Sequence, residues 1–344
     1  LMEKSMKILL TGCAGFIGFH VAKHLAQAAH ELIVIDSIND YYDVALKFAR
    51  LAELGIIPDI LEPEKTVVST RYPSLRFHKL DMSDMDFLRQ IFDEEKPEII
   101  CHLAAQPGVR CSIEHPELYL QNNVVAFFNL LECCRHHAIQ HLIYASSSSV
   151  YGANAQVPFS PEQRTDTPAS FYAATKKTDE IFAAAYSRLY RIPTTALRFF
   201  TVYGPWGRPD MAPFKFTRAI LEGKPLDLYN NGDQERDFTY IDDIASGVMR
   251  VIEKGFLSQD GGNFQNIYNI GGAHPVKLMD FIDILEKTIG KKAKIHPMPM
   301  QSGDVPRTWA DTESLKRDYG ASPKISIEEG IPRFVQWYRS FYAK

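Results

Sequence analysis

The chain has 344 residues, 45% of them apolar, and a formal net charge of -4 spread without basic blocks. That length fits one large core plus a smaller lobe, and the charge pattern excludes nucleic acid or an anionic membrane as an expected partner. No apolar run approaches the roughly 18 residues of a spanning helix, and Leu1 to Ser5 lacks the apolar core of a signal peptide.

Lys7 to Gly18 reads as a buried strand entering a phosphate-binding turn. Ile8, Leu9 and Leu10 form the short apolar run of a parallel strand covered on both faces. Gly12, Gly15 and Gly18 follow three apart, suited to a tight turn, a close backbone approach to a pyrophosphate, and tight helix packing. The next helix, Phe16 to Ala28, would aim its free N–H groups at that anion. A second strand, Glu31 to Asp36, ends in an acid placed to accept from an adenosine ribose. A carboxylate there favours NAD over NADP, since it repels a 2′-phosphate.

Val44 to Leu54 is predicted helical, and Gly55 to Ser74, with Pro58, Pro63 and Pro73, is expected to be a surface excursion. A strand at Leu75 to Leu80 precedes Asp81-Met-Ser-Asp84, a cap for a helix reaching Glu94. The strand Glu98 to Leu103 ends in Ala104-Ala105-Gln106-Pro107-Gly108, small residues that admit a flat ligand. Helix Asn122 to His137, strand His141 to Ala145, helix Phe171 to Tyr190 and strand Thr194 to Phe199 follow. Beyond Tyr203 come a loop, a helix from Pro213 to Gly223 and a strand from Leu226 to Asn230. Regular alternation to Phe200 predicts an α/β protein, a doubly wound parallel sheet with right-handed crossovers. We divide it into a nucleotide-binding domain over 1–200, with returning segments near 238–256 and 267–272, and a smaller, discontinuous C-terminal substrate domain over 201–344. Ligands of such sheets sit at the carboxyl strand ends, where Gly12, Ala104, Ser146 to Ser149 and Thr201 would meet.

Cys13, Cys101, Cys111, Cys133 and Cys134 show neither zinc nor disulfide spacing, so free thiols in a reducing cytoplasm are expected. His136, His137 and His141 lack partners at ligand spacing, and no metal is expected.

Tyr172-Ala-Ala-Thr-Lys176 sets a phenol and an ammonium on one helix face, one turn apart. A neighbouring ammonium favours a phenolate, so Tyr172 could remove a hydroxyl proton from a substrate. Ser147, at a strand end, could donate to the same oxygen. Glycine triplet, strand-end serine and Tyr-x-x-x-Lys in this order resemble the extended short-chain dehydrogenase/reductases, whose sheet is the Rossmann fold.

Four further stretches resemble the sugar-nucleotide branch of that superfamily: Ser-Val150-Tyr151-Gly152, Arg198-Phe-Phe-Thr-Val-Tyr-Gly-Pro205, Gly232-Asp-Gln-Glu-Arg236 to Asp243, and Gly303-Asp-Val-Pro-Arg307 to Asp311. The resemblance implies an NAD site built from Gly12, Gly15, Phe16, Ile17, Gly18, Asp36, Asp81, Met82, Leu103, Ala104, Ala105, Tyr172 and Lys176. It also implies a sugar-nucleotide site from Arg110, Ser147, Ser148, Ser149, Thr201, Arg208, Arg236 and Arg307, the last two meeting the diphosphate through the arginine fork.

The 4,6-dehydratases of this branch carry an Asp-Glu pair after the serine, and UDP-glucuronate decarboxylases a glutamate nearby. Here Ser148 and Ser149 stand instead, which suits an epimerase that needs only one proton relay and one hydride. Asp36 to Arg50 and Trp206-Gly-Arg208-Pro-Asp-Met211 are most similar to the UDP-glucuronate 4-epimerases. Oxidising C4 of glucuronate makes a ketone β to a carboxylate, which loses carbon dioxide when the carboxylate aligns with the carbonyl π system. Fixed hydroxyls such as Ser147, Ser148, Ser149 and Thr201 could pin that carboxylate, with Arg208 steering its charge. The resemblance thus implies an NAD-dependent isomerase converting UDP-glucuronate to UDP-galacturonate, and a homodimer formed by the helices 122–137 and 171–190. Competing readings are a 4-epimerase of UDP-glucose or an N-acetylated hexosaminuronate, and a nucleotide-sensing binding protein without chemistry.

Overall fold

The computed structural model describes residues 5–28, 30–58, 61–62, 65–154, 156–258, 263–301 and 303–342. Its strands in chain order are β1 (Lys7–Thr11), β2 (Glu31–Asp36), β3 (Thr66–Val68), β4 (Leu75–Lys79), β5 (Ile99–His102), β6 (His141–Ser147), β7 (Thr194–Phe199), β8 (Thr201–Tyr203), β9 (Pro225–Tyr229), β10 (Glu235–Tyr240), β11 (Gln265–Ile270), β12 (Pro275–Lys277) and β13 (Lys294–Met298). The helices are α1 (Phe16–Gln27), α2 (Val44–Glu53), α3 (Met85–Glu95), α4 (Cys111–Glu114), α5 (Pro116–Tyr119), α6 (Ala126–His136), α7 (Phe171–Tyr190), α8 (Ala212–Glu222), α9 (Ile241–Lys254), α10 (Leu278–Ile289), α11 (Glu313–Tyr319) and α12 (Ile327–Tyr342).

An eight-stranded sheet runs β11-β7-β6-β5-β1-β2-β4-β3, beside a three-stranded sheet β12-β10-β8 and the pair β13-β9. Every pairing in the large sheet is parallel except β3 with β4. Successive side chains of a strand point to opposite faces, and both faces here are covered. Ile8, Leu10, Leu32 and Val34 join the layer of Phe19 and Leu25 from α1 and Val248 and Ile252 from α9. Leu9 and Ile33 join Leu88 from α3 and Phe127 and Leu130 from α6. Each such side chain contributes roughly 2 kcal/mol on burial, so two covered faces select an unbroken apolar run over alternation.

The strand Thr194–Phe199 and the helix Phe171–Tyr190 appear with the predicted bounds. The Ser170 hydroxyl starts α7 by accepting from Ala173 N at 3.1 Å, and the Asp84 carboxylate starts α3 by accepting from Phe87 N at 3.1 Å, satisfying otherwise orphaned donors. The later segment β11 runs parallel beside β7 at the edge of the sheet.

Two features differ from the sequence reading, and a third adds to it. The supposed excursion Gly55 to Ser74 contains β3, laid antiparallel on β4, although its residues 59–60 and 63–64 lie outside the described ones. Three residues with one buried side chain carry no readable period. The predicted helix Asn122 to His137 opens as a π turn, Leu120–Val125, before α6 begins. An extra residue per turn re-aims side chains, and Asn123 is thereby buried against Gln106 and Thr175. Finally, the signature around Arg236 to Asp243 forms β10 and the start of α9. Its Asp237, fully buried, accepts from the backbone N–H groups of Gly272, Ala273 and Ala310 at 2.6, 3.1 and 2.9 Å, a cross-chain staple that only the folded chain can show.

Candidate active site

The carboxyl ends of β1, β5, β6 and β7 open into a cavity of about 1290 Å³. Of the residues predicted for the site, only Arg307 is missing from its wall. Arg307 pairs instead with Glu235 at 2.7 Å and lies over the Trp309 ring, which turns it away from the others.

At one end the wall carries Gly12, Gly15, Phe16, Ile17 and Gly18 together with Asp36, Asp81, Met82, Leu103, Ala104 and Ala105. Gly12 has φ +80°, and a Cβ there would lie 2.8 Å from Ala104 N. At Gly18 a Cβ would lie 2.0 Å from Gly12 O, so the turn and α1 can close only on glycine. Asp36 accepts from Ala14 N at 2.9 Å and from Ile38 N at 2.8 Å, which fixes its carboxylate at the end of β2. A glycine cradle at a helix N-terminus with a carboxylate at the second strand end fits the pyrophosphate and ribose of NAD.

At the centre, Tyr172 and Lys176 share one face of α7, and both line the cavity. The Tyr172 ring meets Tyr119 edge-on at 6.1 Å, and its backbone N–H donates to Ser112 Oγ at 3.1 Å. Lys176 is 1% exposed, and its Nζ donates to Asp179 Oδ2 at 3.0 Å. Ser147 caps the single turn Ser148–Tyr151 by accepting from Ser149 N at 3.1 Å, which turns Ser147, Ser148 and Ser149 along one stretch of wall. Nearby, His102 shares a 2.8 Å hydrogen bond with Thr11. Burial, then the charge of Lys176, pushes it down to about 3, so the ring is neutral at ordinary pH.

The far end is basic. Arg110 pairs with Asp304 at 3.4 Å and stacks on Tyr229, and Arg236 donates to Pro306 O at 3.1 Å. Burial works against the Asp210 carboxylate, yet the Arg208 guanidinium beside it holds it below its ordinary value. Tyr41 donates to the same carboxylate at 3.3 Å.

Sequence reasoning missed several contributors. Lys215 and Arg218 stand three apart on α8 and line the basic end, a spacing legible in the sequence. Asn123 and Asp179 had no signal, because a π turn buries the first and a buried ion pair defines the second. Arg50, fully buried, donates to Ala14 O at 2.7 Å and to Trp206 O at 2.6 Å, tying the glycine turn to the loop that carries Arg208. The two stretches Asp36 to Arg50 and Trp206 to Met211 are thus one contact surface.

A doubly wound parallel sheet, a glycine cradle and a Tyr-x-x-x-Lys pair facing one cavity define a nucleotide-cofactor enzyme of the short-chain dehydrogenase/reductase class. The sequence matches the family described as NAD dependent epimerase/dehydratase over residues 8–271, and the chain belongs to that family. Protein CapI of Staphylococcus aureus is 47% identical, the match covering 98% of this chain and 100% of CapI. A probable UDP-glucuronate 4-epimerase of Rhizobium meliloti is 43% identical, covering 98% of both. Among solved structures, UDP-glucuronic acid 4-epimerase from Bacillus cereus in complex with UDP-glucuronic acid and NAD superposes with a TM-score of 0.86 at 32% identity, covering 98% of this chain and 100% of that one. Among the described residues, no helix is long and apolar enough to cross a membrane, and no group of three or more His, Cys, Asp or Glu could hold a metal.

Proposed function

We propose that this chain is an isomerase that interconverts UDP-glucuronate and UDP-galacturonate at C4, through a 4-keto sugar, with NAD as a tightly held cofactor. The observation that carries the reading is the wall Ser147, Ser148, Ser149 and Thr201 in the same cavity as Tyr172 and Lys176. It offers hydroxyls and no carboxylate where elimination would need an acid and a base. When bound, NAD supplies the hydride acceptor and donor for C4, held by Gly12, Gly15, Gly18 and Asp36.

In this reading Tyr172 takes the O4 proton and later returns it, while the Lys176 charge stabilises the phenolate. Ser147 donates to O4 and fixes the reacting carbon. Arg236, with Arg110 and Lys215, holds the diphosphate as a tether about which the ketone turns over. Ser148, Ser149 and Thr201 hold the uronate carboxylate out of line with the ketone, with Arg208 countering its charge.

We assign residues 1–200, with returns near 238–256 and 267–272, to the cofactor, and 201–344 mainly to the UDP sugar. The exposed Phe128 of α6 and Ile181 and Leu189 of α7 suit a homodimer contact along these two helices. The five free thiols, four of them buried, suit a cytoplasmic protein.

The test is turnover of UDP-glucuronate against UDP-glucose at equal concentration, with the galacto product read by NMR. UDP-glucuronate should be the faster by at least about tenfold, and Tyr172→Phe should cut its turnover by about 10² or more. Preference for UDP-glucose would reject the uronate assignment, and near wild-type turnover in folded Tyr172→Phe would reject the base.

A further inference from the structure

Lys176 and Asp179 lie on one turn of α7, and their side chains meet at 3.0 Å. Lys176 lines the cavity, whereas Asp179 is not on its wall and is fully buried. Its second oxygen, Oδ1, has no hydrogen-bond partner among the described residues. An ionised carboxylate can accept at both oxygens, and burying one with a single partner is costly. The pocket therefore disfavours the ionised carboxylate relative to water.

The charged and titratable groups around it point the same way. Glu180, next along the helix, is clamped by Arg198 of β7 and by Lys177, and it repels a second negative charge. Tyr144 of β6 is kept neutral by burial, and His102 of β5 is neutral beside Lys176. Burial outweighs the attraction of Lys176 and pushes Asp179 up to about 7.

We propose that Asp179 is a positioning residue that tunes Tyr172 through Lys176. When Asp179 is neutral, the ammonium acts in full on the phenol one turn away. When Asp179 is ionised, its charge beside Lys176 cancels much of that field, and the phenol holds its proton more firmly. The inference rests on Tyr172 as the base and is independent of which sugar is turned over. No residue other than the Tyr-x-x-x-Lys pair needs to touch the substrate for it to operate.

Positions 172 and 179 are about 10 Å apart along the helix at 1.5 Å per residue. At an effective dielectric of about 20 to 40, one charge at that distance moves a titration by about 0.6 to 1.2 pH units. The test follows the phenolate's ultraviolet absorbance against pH in the full chain with its cofactor and in Asp179→Asn. Each is read against its own Tyr172→Phe counterpart, so that the difference isolates one phenol. The Asn variant should ionise about 0.6 to 1.2 pH units lower, while Asp179→Glu, which keeps the charge, should not. A folded Asn variant whose phenol titrates at or above the wild-type midpoint would overturn the proposal. Where the Asn variant does not fold, Asp179→Ser is read in the same way. A lowered midpoint in a protein that fails to turn over UDP-glucuronate supports this inference and counts against the sugar assignment alone.

Discussion

Replacing Glu180 by Gln probes how the helix that bears Tyr172 and Lys176 is fastened to the sheet. Arg198 donates Nε to Glu180 Oε1 at 2.8 Å and its second terminal nitrogen to Oε2 at 2.9 Å, with both side chains 2% exposed. Ser146 Oγ donates to the same carboxylate at 2.7 Å, so α7, β6 and β7 meet on one charge. Arg198 also donates to Tyr151 Oη at 3.0 Å, and Tyr151 to Asn269 Oδ1 at 2.6 Å, which carries the network to β11. Gln keeps the shape and removes the charge, leaving a buried guanidinium uncompensated, at a cost of about 3–5 kcal/mol. An unfolding entropy of about 2.1 cal/mol/K per residue over 344 residues is roughly 0.7 kcal/mol/K, so Tm should fall by about 4–7 °C. The pH dependence has a defined sign. Burial opposes the charge, but Arg198, Ser146 and Lys177 hold Glu180 below its ordinary value. Its contribution is therefore full above the unfolded carboxylate value and is lost as pH falls through the lower folded value. Thermal melts of wild type, Glu180→Gln and Glu180→Met/Arg198→Met should show the double variant recovering most of the loss. A Tm change below about 1 °C in Glu180→Gln would refute the argument, because it would mean the guanidinium finds water or another partner.

Gly18→Ala should abolish cofactor retention, since the added methyl would lie 2.0 Å from Gly12 O; NAD released on denaturation measures it, and stoichiometric NAD would contradict the cradle. Arg236→Met should raise KM for the UDP sugar by about 10- to 100-fold, the loss of a charged hydrogen bond. Arg307→Met, with its guanidinium on Glu235 away from the wall, should raise it less than about threefold, as an exposed ion pair is worth little. Equal effects would place both arginines on the diphosphate.

Much of the site was readable because its parts are local. The turn at Gly12 to Gly18, the cap at Asp84 and the Tyr172/Lys176 face each follow from short spacings that backbone geometry imposes within a few residues. The two-faced burial of β1 and β2 follows from unbroken apolar runs. β3 escaped because a three-residue edge strand has no period, and the π turn at Leu120–Val125 escaped because one inserted residue leaves the apolar pattern almost intact. Arg198, Tyr151 and Asp237 sit in stretches whose resemblance to sugar-nucleotide enzymes was plain, yet all three serve buried hydrogen-bond networks rather than the cavity wall.

By itself the amino-acid sequence determined most of the strand and helix alternation up to Phe199, the glycine cradle, the acid at Asp36 and the phenol–ammonium pair, since each depends on neighbours along the chain. Tertiary structure alone decided that Arg236 faces the cavity and Arg307 does not, that Arg50 joins the glycine turn to the Trp206 loop, and that Lys176 is backed by a buried carboxylate. Those outcomes turn on which groups far apart in sequence are brought within hydrogen-bond reach and out of water. Burial, not residue type, then sets whether a charge is paired, neutral or free to act on a ligand.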